Sequence, residues 1–249
     1  MNFQFAVTIL STLICSLLPG EPAKPVLYLI GDSTVASASP ENQIQGWGGL
    51  LHRFFVTTKI SIRNRAVSGT SSRTYQTGVV HNPSMLKNGM WKGVMEDLRA
   101  GDFVIIQFGH NDESPVSDTL RMRGTLKGTS NDSVVVSNYF SKRQEVVHTY
   151  GYYLKKLVAN IKSKGATACI CSPIPKNRWT GNRVLRNSSD YGLWAKEAAK
   201  ESGAVFIDLN KLVADQYDRD GKEKVSTRFF TPDGLHTTMQ GAELNASLV

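Results

Sequence analysis

The chain has 249 residues, 41% of them hydrophobic, and a formal net charge of +8 from 29 basic against 21 acidic residues. This apolar share is large enough for a core and excludes an intrinsically disordered protein. The positive charge favours anionic partners, but the basic residues are scattered and form no run typical of a nucleic-acid-binding tail. An acidic polysaccharide or another small anionic substrate fits at least as well as nucleic acid, and we expect no nucleic-acid partner.

An apolar stretch of 13 residues, AVTILSTLICSLL, spans residues 6–18. A membrane-spanning helix needs about 20 apolar residues, whereas the core of a signal peptide needs only about 7–15. We therefore expect a signal peptide over residues 1–24, although its first residues carry no positive charge. The remaining domain, residues 25–249, should be exported to the periplasm or the medium without stable membrane insertion. Lipidation of Cys15 is not expected, because the bulky Ile14 precedes it.

Five short apolar runs predict strands, in chain order VLYLI (26–30), KISIRN (59–64), DFVIIQF (102–108), ATACICS (166–172) and AVFIDL (204–209). Amphipathic patterns between them predict helices over 46–55, 90–100, 139–165 and 189–203. Apolar strands that alternate with helices indicate a parallel sheet covered on both faces, which is a three-layer α/β/α sandwich. Ligands bind such sheets beyond the carboxyl ends of the strands, so residues that follow strands are the candidate site residues.

Two cysteines, Cys169 and Cys171, lie on the predicted strand 166–172. Residues two apart on a strand face the same side, and strand geometry disfavours a disulfide between them. A zinc site would need more ligands than this pair offers. We therefore expect two small, buried, unbridged residues.

Polar or small residues follow the first three predicted strands. Ser33 follows the first strand in GDST, and Gly69 lies in the loop NRAVSGTSSRTY after the second, where a backbone N–H can approach a ligand closely. The third strand runs into GHND, in which Asn111 offers a side-chain N–H donor. Each stretch taken alone is equally explained as ordinary turn chemistry.

A carboxylate and an imidazole stand three residues apart in PDGLH, as Asp233 and His236, just before a predicted C-terminal helix with a capping box at Thr237 and Gln240. A serine nucleophile needs a base to accept its proton and an acid to orient that base, and this segment can supply both. His110 also follows a strand and is the main competitor. The other histidines rank lower: His52 and His148 lie in predicted helices, and His81 lies in a loop without an acid partner.

Ser33 in GDST, Gly69 in NRAVSGTSSRTY, Asn111 in GHND and His236 in DGLH occur in this order, and the chain thereby resembles the SGNH group of the GDSL hydrolases. Within that family, GWGGLLHRFF (46–55), RGTLKG (123–128) and SPIPKNRW (172–179) are similar to segments of bacterial rhamnogalacturonan acetylesterases. The resemblance covers residue 26 to the end of the chain. It implies a flavodoxin-like five-stranded parallel sheet and the removal of O-acetyl groups from a pectic polysaccharide.

The resemblance also implies a role for each matching position. Ser33 would be the nucleophile and His236 the general base, oriented by Asp233. The Ser33 and Gly69 backbone N–H groups and the Asn111 side-chain amide would form the oxyanion hole. The reaction would require no metal or organic cofactor, and we expect a monomer.

An acidic pectic substrate calls for basic side chains near the site, because arginine binds carboxylates in a bidentate fork. The candidates are Arg73, four residues after Gly69, and Lys176, Arg178 and Arg183 after the fourth strand. Trp179 is a candidate for stacking on a sugar ring. Each of these side chains is also explained as an ordinary surface or packing residue. The polar segment between residues 114 and 139 should shape the cleft.

Two alternatives to a pectin acetylesterase stay open at this point. One is an SGNH esterase of other specificity, acting on acetylated xylan or on lipid-like esters, although the modest apolar content of the loops argues against long acyl chains. The other is a non-catalytic carbohydrate-binding domain, against which the intact Ser33, Asp233 and His236 argue.

Overall fold

The computed structural model describes residues 24–38 and 43–249, so nearly all of the predicted signal peptide lies outside the described residues. In the described part of the chain the strands, numbered in chain order, are β1 (Val26–Gly31), β2 (Ser61–Asn64), β3 (Phe103–Gln107), β4 (Ser133–Ser137), β5 (Gln144–His148), β6 (Thr167–Cys171), β7 (Trp179–Thr180), β8 (Arg183–Val184) and β9 (Val205–Ile207). The five apolar runs predicted as strands are confirmed as β1, β2, β3, β6 and β9.

These five strands form one parallel sheet in the order β2-β1-β3-β6-β9. This is the flavodoxin-like order, in which the chain reverses direction across the sheet between β1 and β3 and leaves a crevice at their carboxyl ends. The remaining strands pair as two antiparallel hairpins, β4 with β5 and β7 with β8. The predicted three-layer fold is therefore confirmed.

The helices flank the sheet on both faces. They are α1 (Ser72–Thr77), α2 (Met90–Asp97), α3 (Tyr150–Ser163), α4 (Tyr191–Ser202), α5 (Leu209–Asp220), α6 (Lys222–Lys224) and α7 (Met239–Ser247). Short 3-10 turns cover Trp47–Gly49, Leu51–Phe54 and Pro83–Asn88, and a π turn covers Val225–Phe229. Among the described residues, none of the helices is long and apolar enough to span a membrane.

Strand β1 shows how the sheet divides the core. Tyr28 and Ile30 point to the face covered by α1 to α4, whereas Leu27 and Leu29 point to the face covered by α5, α7 and the first 3-10 turns. This alternation is the period-two pattern of a strand buried on both sides. Because both faces are packed, β1 is held rigidly where it ends beside the crevice.

Three predictions about local structure are wrong. The helix predicted over 139–165 begins only at Tyr150, because residues 144–148 form β5, so His148 lies on a strand. The pattern over 46–55 forms two 3-10 turns rather than an α-helix. The final helix is capped by Thr238, whose side chain accepts the Gly241 N–H, while the Thr237 hydroxyl donates to the Gln45 carbonyl.

The two cysteines are free, as predicted, and both contact the core on the same side of the sheet. Cys171 is buried, whereas Cys169 is only half-buried.

Candidate active site

Ser33 lies two residues beyond the end of β1, in a tight turn. A side chain at Gly31 would place a Cβ 2.5 Å from the Gln107 carbonyl oxygen and 2.6 Å from Val35, so only glycine fits here. Asp32 stabilises the turn, because its Oδ1 accepts hydrogen bonds from the Thr34 N–H (2.9 Å) and the Thr34 hydroxyl (2.8 Å). This turn presents the Ser33 hydroxyl at the sheet edge.

A buried chain of hydrogen bonds ties this turn to the neighbouring strand. Gln107, at the end of β3, donates to Thr34 Oγ1 (2.6 Å) and accepts from Trp47 Nε1 (2.9 Å). All three side chains are essentially inaccessible to solvent. Because buried hydrogen-bonded networks of this kind fix one geometry, they hold the serine turn in place. This supporting role of Gln107 and Trp47 was not predicted from the sequence.

The segment at residues 231–238 brings a histidine and an aspartate to the serine. His236 Nε2 lies 2.8 Å from Ser33 Oγ, and His236 Nδ1 lies 2.5 Å from Asp233 Oδ2. The second carboxylate oxygen, Oδ1, accepts the backbone N–H groups of Leu235 and His236, both at 2.9 Å. The three side chains therefore form a continuous hydrogen-bonded line from carboxylate to imidazole to hydroxyl.

Asp233 is held in its ionised form. Partial burial raises its pKa, but hydrogen bonds from the His236 ring, the His236 and Leu235 backbone and Thr231 outweigh that effect and lower the pKa to about 2. A carboxylate at Nδ1 favours the tautomer with the proton on that nitrogen, which leaves Nε2 free to accept the serine proton.

Three residues with N–H donors, Ser33, Gly69 and Asn111, line one cavity from three different loops. Gly69 adopts a φ of +83°, a conformation in which glycine is favoured, and lies with Asn111 on the same cavity as Ser33. The Asn111 side-chain amide donates one hydrogen to the Thr70 carbonyl (2.7 Å), which leaves its second hydrogen free. Within the described ranges, the Ser33 and Gly69 backbone N–H groups donate to no protein acceptor. The arrangement is suited to binding an oxyanion.

Replacing Asn111 with alanine should lower kcat for an acetyl ester by about 10²–10³-fold, the usual cost of removing one oxyanion-hole donor. KM should change far less, because this hydrogen bond strengthens mainly when the carbonyl oxygen becomes negative. The measurement is steady-state hydrolysis of 4-nitrophenyl acetate, with circular dichroism to verify folding. A folded variant that keeps more than a third of the wild-type kcat would exclude Asn111 from this role.

Asp112 fastens together the two loops that carry Gly69 and Asn111. Its Oδ1 accepts hydrogen bonds from the Ser72 hydroxyl (2.5 Å) and the Ser72 N–H (3.1 Å), and its Oδ2 accepts the Gly109 N–H (3.1 Å). Burial, with a smaller contribution from the charge of Asp32, raises the pKa of Asp112 to about 7. Because Asn-Asp after a strand also indicates ordinary turn chemistry, this role of Asp112 was not predicted from the sequence.

This raised pKa makes the stability contribution of Asp112 dependent on pH. Between about pH 4 and pH 7 the native state keeps a proton that the unfolded chain has lost, so stability falls as the pH rises through this window. We expect the free energy of unfolding of wild type minus that of Asp112→Asn to decrease from pH 4 to pH 8 in urea titrations. The variant should be less stable throughout, because its amide nitrogen faces a backbone donor. A difference that stays constant or grows with pH would contradict the assignment.

His110, the competing candidate for the base, makes no hydrogen bond to the Ser33 hydroxyl among the described residues. It is buried, and burial followed by the charges of Lys176 and His236 lowers its pKa to about 3. Its Nε2 has no hydrogen-bond partner in the described part of the chain. The imidazole that contacts Ser33 is therefore that of His236.

The residues predicted to bind substrate lie outside the cavity around Ser33. Arg73 is fully buried and bonded to Glu145, so its prediction as a ligand-binding residue is wrong. Lys176 forms an ion pair with Glu113, and Arg183 lies near Asp218. Arg178 is exposed and Trp179 packs against the core, with its indole N–H on Asn177.

The basic groups that do line the cavity are Arg121 and Arg123. Both belong to the segment 114–139, which was predicted to shape the cleft, although neither was singled out. The two arginines stand two residues apart in RMRG, and this spacing was the sequence signal that could have identified them. What the sequence did not show is that residues 114–125 fold back over the loop of Gly69, where Arg123 donates to the Gly69 carbonyl at 3.4 Å.

A flavodoxin-like sheet with serine, histidine and aspartate joined at the carboxyl ends of its strands defines a carboxylic ester hydrolase of the SGNH type. The chain belongs to the GDSL-like Lipase/Acylhydrolase family, whose pattern it matches over residues 29–244.

Proteins similar to this chain agree with that assignment. It is 28% identical over 231 residues to the rhamnogalacturonan acetylesterase of Emericella nidulans, covering 93% of this chain and 85% of that protein. It is 27% identical over 243 residues to rhamnogalacturonan acetylesterase RhgT of Bacillus subtilis, covering 91% and 88%. The solved structure of YxiM from Bacillus subtilis superposes with a TM-score of 0.69 at 21% identity, over 90% of this chain and 55% of that one.

Proposed function

We propose that the protein is a serine acetylesterase that removes O-acetyl groups from rhamnogalacturonan, the acidic backbone of a pectic polysaccharide. The observation that carries the proposal is the 2.8 Å contact between Ser33 Oγ and His236 Nε2, in a cavity that Gly69 and Asn111 also line. The substrate follows from the names of the similar proteins, which extend over most of the chain.

Each chemical step can be assigned to a side chain or N–H group of this site. His236 Nε2 accepts the hydroxyl proton as Ser33 Oγ attacks the acetyl carbonyl carbon, and the resulting oxyanion is bound by the N–H donors of Ser33, Gly69 and Asn111. The intermediate collapses as protonated His236 gives its proton to the departing sugar oxygen. Water, deprotonated by the same imidazole, then attacks the acetyl carbonyl carbon, and His236 gives that proton to Ser33 Oγ as the ester bond breaks and acetate leaves. Asp233 stabilises the imidazolium in both halves of the reaction.

The cavity fits a small acyl group on a sugar better than a lipid. It has a volume of about 380 Å³, and its apolar lining is limited to Ile44, Met85 and Leu235 beside polar and basic side chains. One chain supplies the nucleophile, the base and all the donors, which supports the proposal of a monomeric enzyme. The apolar segment at residues 6–18 and an extracellular polymer as substrate together support export as part of the same proposal.

Acetate release separates this function from its alternatives. We expect kcat/KM for acetate release to be higher with acetylated rhamnogalacturonan than with acetylated xylan. We also expect 4-nitrophenyl palmitate to be cleaved slowly compared with 4-nitrophenyl acetate. A preference for xylan would assign the enzyme to that polymer instead. A folded protein that releases acetate from none of these esters would be a binding domain.

A further inference from the structure

The described lining of the cavity around Ser33 is basic rather than acidic. Arg121 and Arg123 line it together with His81, and no carboxylate is found among its described lining residues. The two guanidinium groups lie close enough to interact: burial, followed by the charge of Arg121, lowers the pKa of Arg123, and the opposing charges of Asp32, Asp118 and Asp112, which lie outside the lining, do not outweigh these effects. Two like charges directed into one cavity destabilise each other unless an anion lies between them.

The two arginines flank a residue with a strained backbone. Met122 has a φ of +47°, which is unusual for a residue with a side chain, and its side chain is buried beside Val136 and Val147 of the β4–β5 hairpin. Its sulfur also accepts the Tyr139 N–H at 2.9 Å. Such strain costs of order 1–3 kcal/mol and is found mainly where function fixes the geometry, as at ligand clamps. The hairpin thus maintains a conformation in which neighbouring arginines share one cavity.

In the described part of the chain, the Arg123 guanidinium forms hydrogen bonds within the protein, whereas that of Arg121 does not. Arg123 is half-buried and anchored, with Nε on Ser114 Oγ (3.3 Å) and a terminal nitrogen on the Gly69 carbonyl (3.4 Å). The Arg121 guanidinium is exposed and makes no hydrogen bond or ion pair over residues 24–38 and 43–249. Asp118 accepts the backbone N–H groups of Leu120 and Arg121, makes no hydrogen bond to the Arg121 guanidinium, and does not line the cavity. Arg121 is therefore available to a ligand next to the nucleophile.

We propose that Arg121, supported by the fixed charge of Arg123, forms a carboxylate-binding subsite for a uronic acid next to the acetylated sugar. A planar guanidinium can hold a carboxylate by two parallel hydrogen bonds, which fixes the orientation of the sugar relative to Ser33. The inference rests on the proposed function and adds the residue that selects acidic over neutral acetylated chains.

The test compares two forms of one substrate: acetylated rhamnogalacturonan oligosaccharides with free carboxylates, and the same oligosaccharides after methyl esterification of the carboxylates. Wild type should prefer the free acid by roughly ten- to hundredfold in kcat/KM, the usual range for a hydrogen bond to a charged group. Arg121→Gln should reduce this ratio to within about threefold of unity, and Arg121→Lys should retain part of it because a point charge remains. Arg143→Gln removes an exposed arginine outside the cavity and should keep the wild-type ratio.

The outcomes distinguish the subsite from the function on which it rests. Acetate release by wild type from neither form would overturn the proposed substrate and the subsite with it. Release from both forms at the same rate would overturn the subsite alone. A wild-type preference that survives in Arg121→Gln would show that other groups bind the carboxylate.

Discussion

Ser33→Ala is expected to lower kcat for acetyl ester hydrolysis by about 10⁵–10⁶-fold, the loss seen when a triad nucleophile is removed. The hydroxyl lies 2.8 Å from His236 Nε2, and no other described hydroxyl is bonded to that nitrogen. The variant should still bind acetylated oligosaccharide, because the cavity and its arginines are unchanged. The measurement is acetate release at saturating substrate, together with equilibrium binding of the same oligosaccharide.

A double variant provides the control for this prediction. Because nucleophile and base act as one unit, Ser33→Ala combined with His236→Ala should be no slower than either single variant. Two effects that multiply would mean that the side chains act independently. A folded Ser33→Ala enzyme that retains about a hundredth of the wild-type rate would rule out this serine as the nucleophile.

Arg73→Ala should be the most destabilising change near the site, by about 3 kcal/mol. Arg73 is inaccessible to solvent and forms a bidentate pair with Glu145, at 2.9 and 2.6 Å. Its other terminal nitrogen donates to the Gly124 carbonyl at 2.8 Å and so supports the loop that carries Arg121. Removal of one partner leaves a largely buried charge unpaired. The lower end of the usual range applies because Glu145 keeps 14% side-chain exposure.

Urea unfolding measures this loss, and a second substitution reveals its cause. Arg73→Met with Glu145→Leu should recover most of the stability, because an apolar pair of similar size leaves no unpaired charge. A loss below about 1 kcal/mol in Arg73→Ala would contradict the structural role. If Arg73 bound substrate instead, KM for acidic oligosaccharides would rise while the unfolding free energy stayed constant.

The sheet could be predicted because its signal is local. Each strand is a short apolar run between polar turns, and the residue that follows it is fixed by chain order. The placement of Ser33, Gly69 and Asn111 beyond the carboxyl ends of the strands therefore followed from chain order, whereas their roles came from the family resemblance. The pairing of Asp233 with His236 was also readable, since three residues in a turn cannot separate them far.

The errors arise where a distant partner decides the outcome. Arg73 was interpreted as ligand-facing because it follows Gly69, but Ser71 caps α1 and Arg73 reaches Glu145, 72 residues later in the chain. Glu145 lies in the β4–β5 hairpin, which also explains why the predicted helix began too early. Residues 144–148 pair with β4 and are not part of α3. Contacts between loops that are distant in the chain leave no periodic pattern of hydrophobic residues, so they could not be predicted from the sequence.

Ser33 and His236, the proposed nucleophile and base, are separated by 203 positions along the chain. Two hydrogen bonds hold the segment of His236 beside the serine. The Thr237 hydroxyl donates to the Gln45 carbonyl (2.6 Å), and the Gln45 N–H donates to the Thr237 carbonyl (3.0 Å). A polypeptide still emerging from the ribosome therefore has the serine but not the imidazole, and is inert. If residues 231–238 detached while the rest of the sandwich stayed folded, hydrolysis would stop without global unfolding.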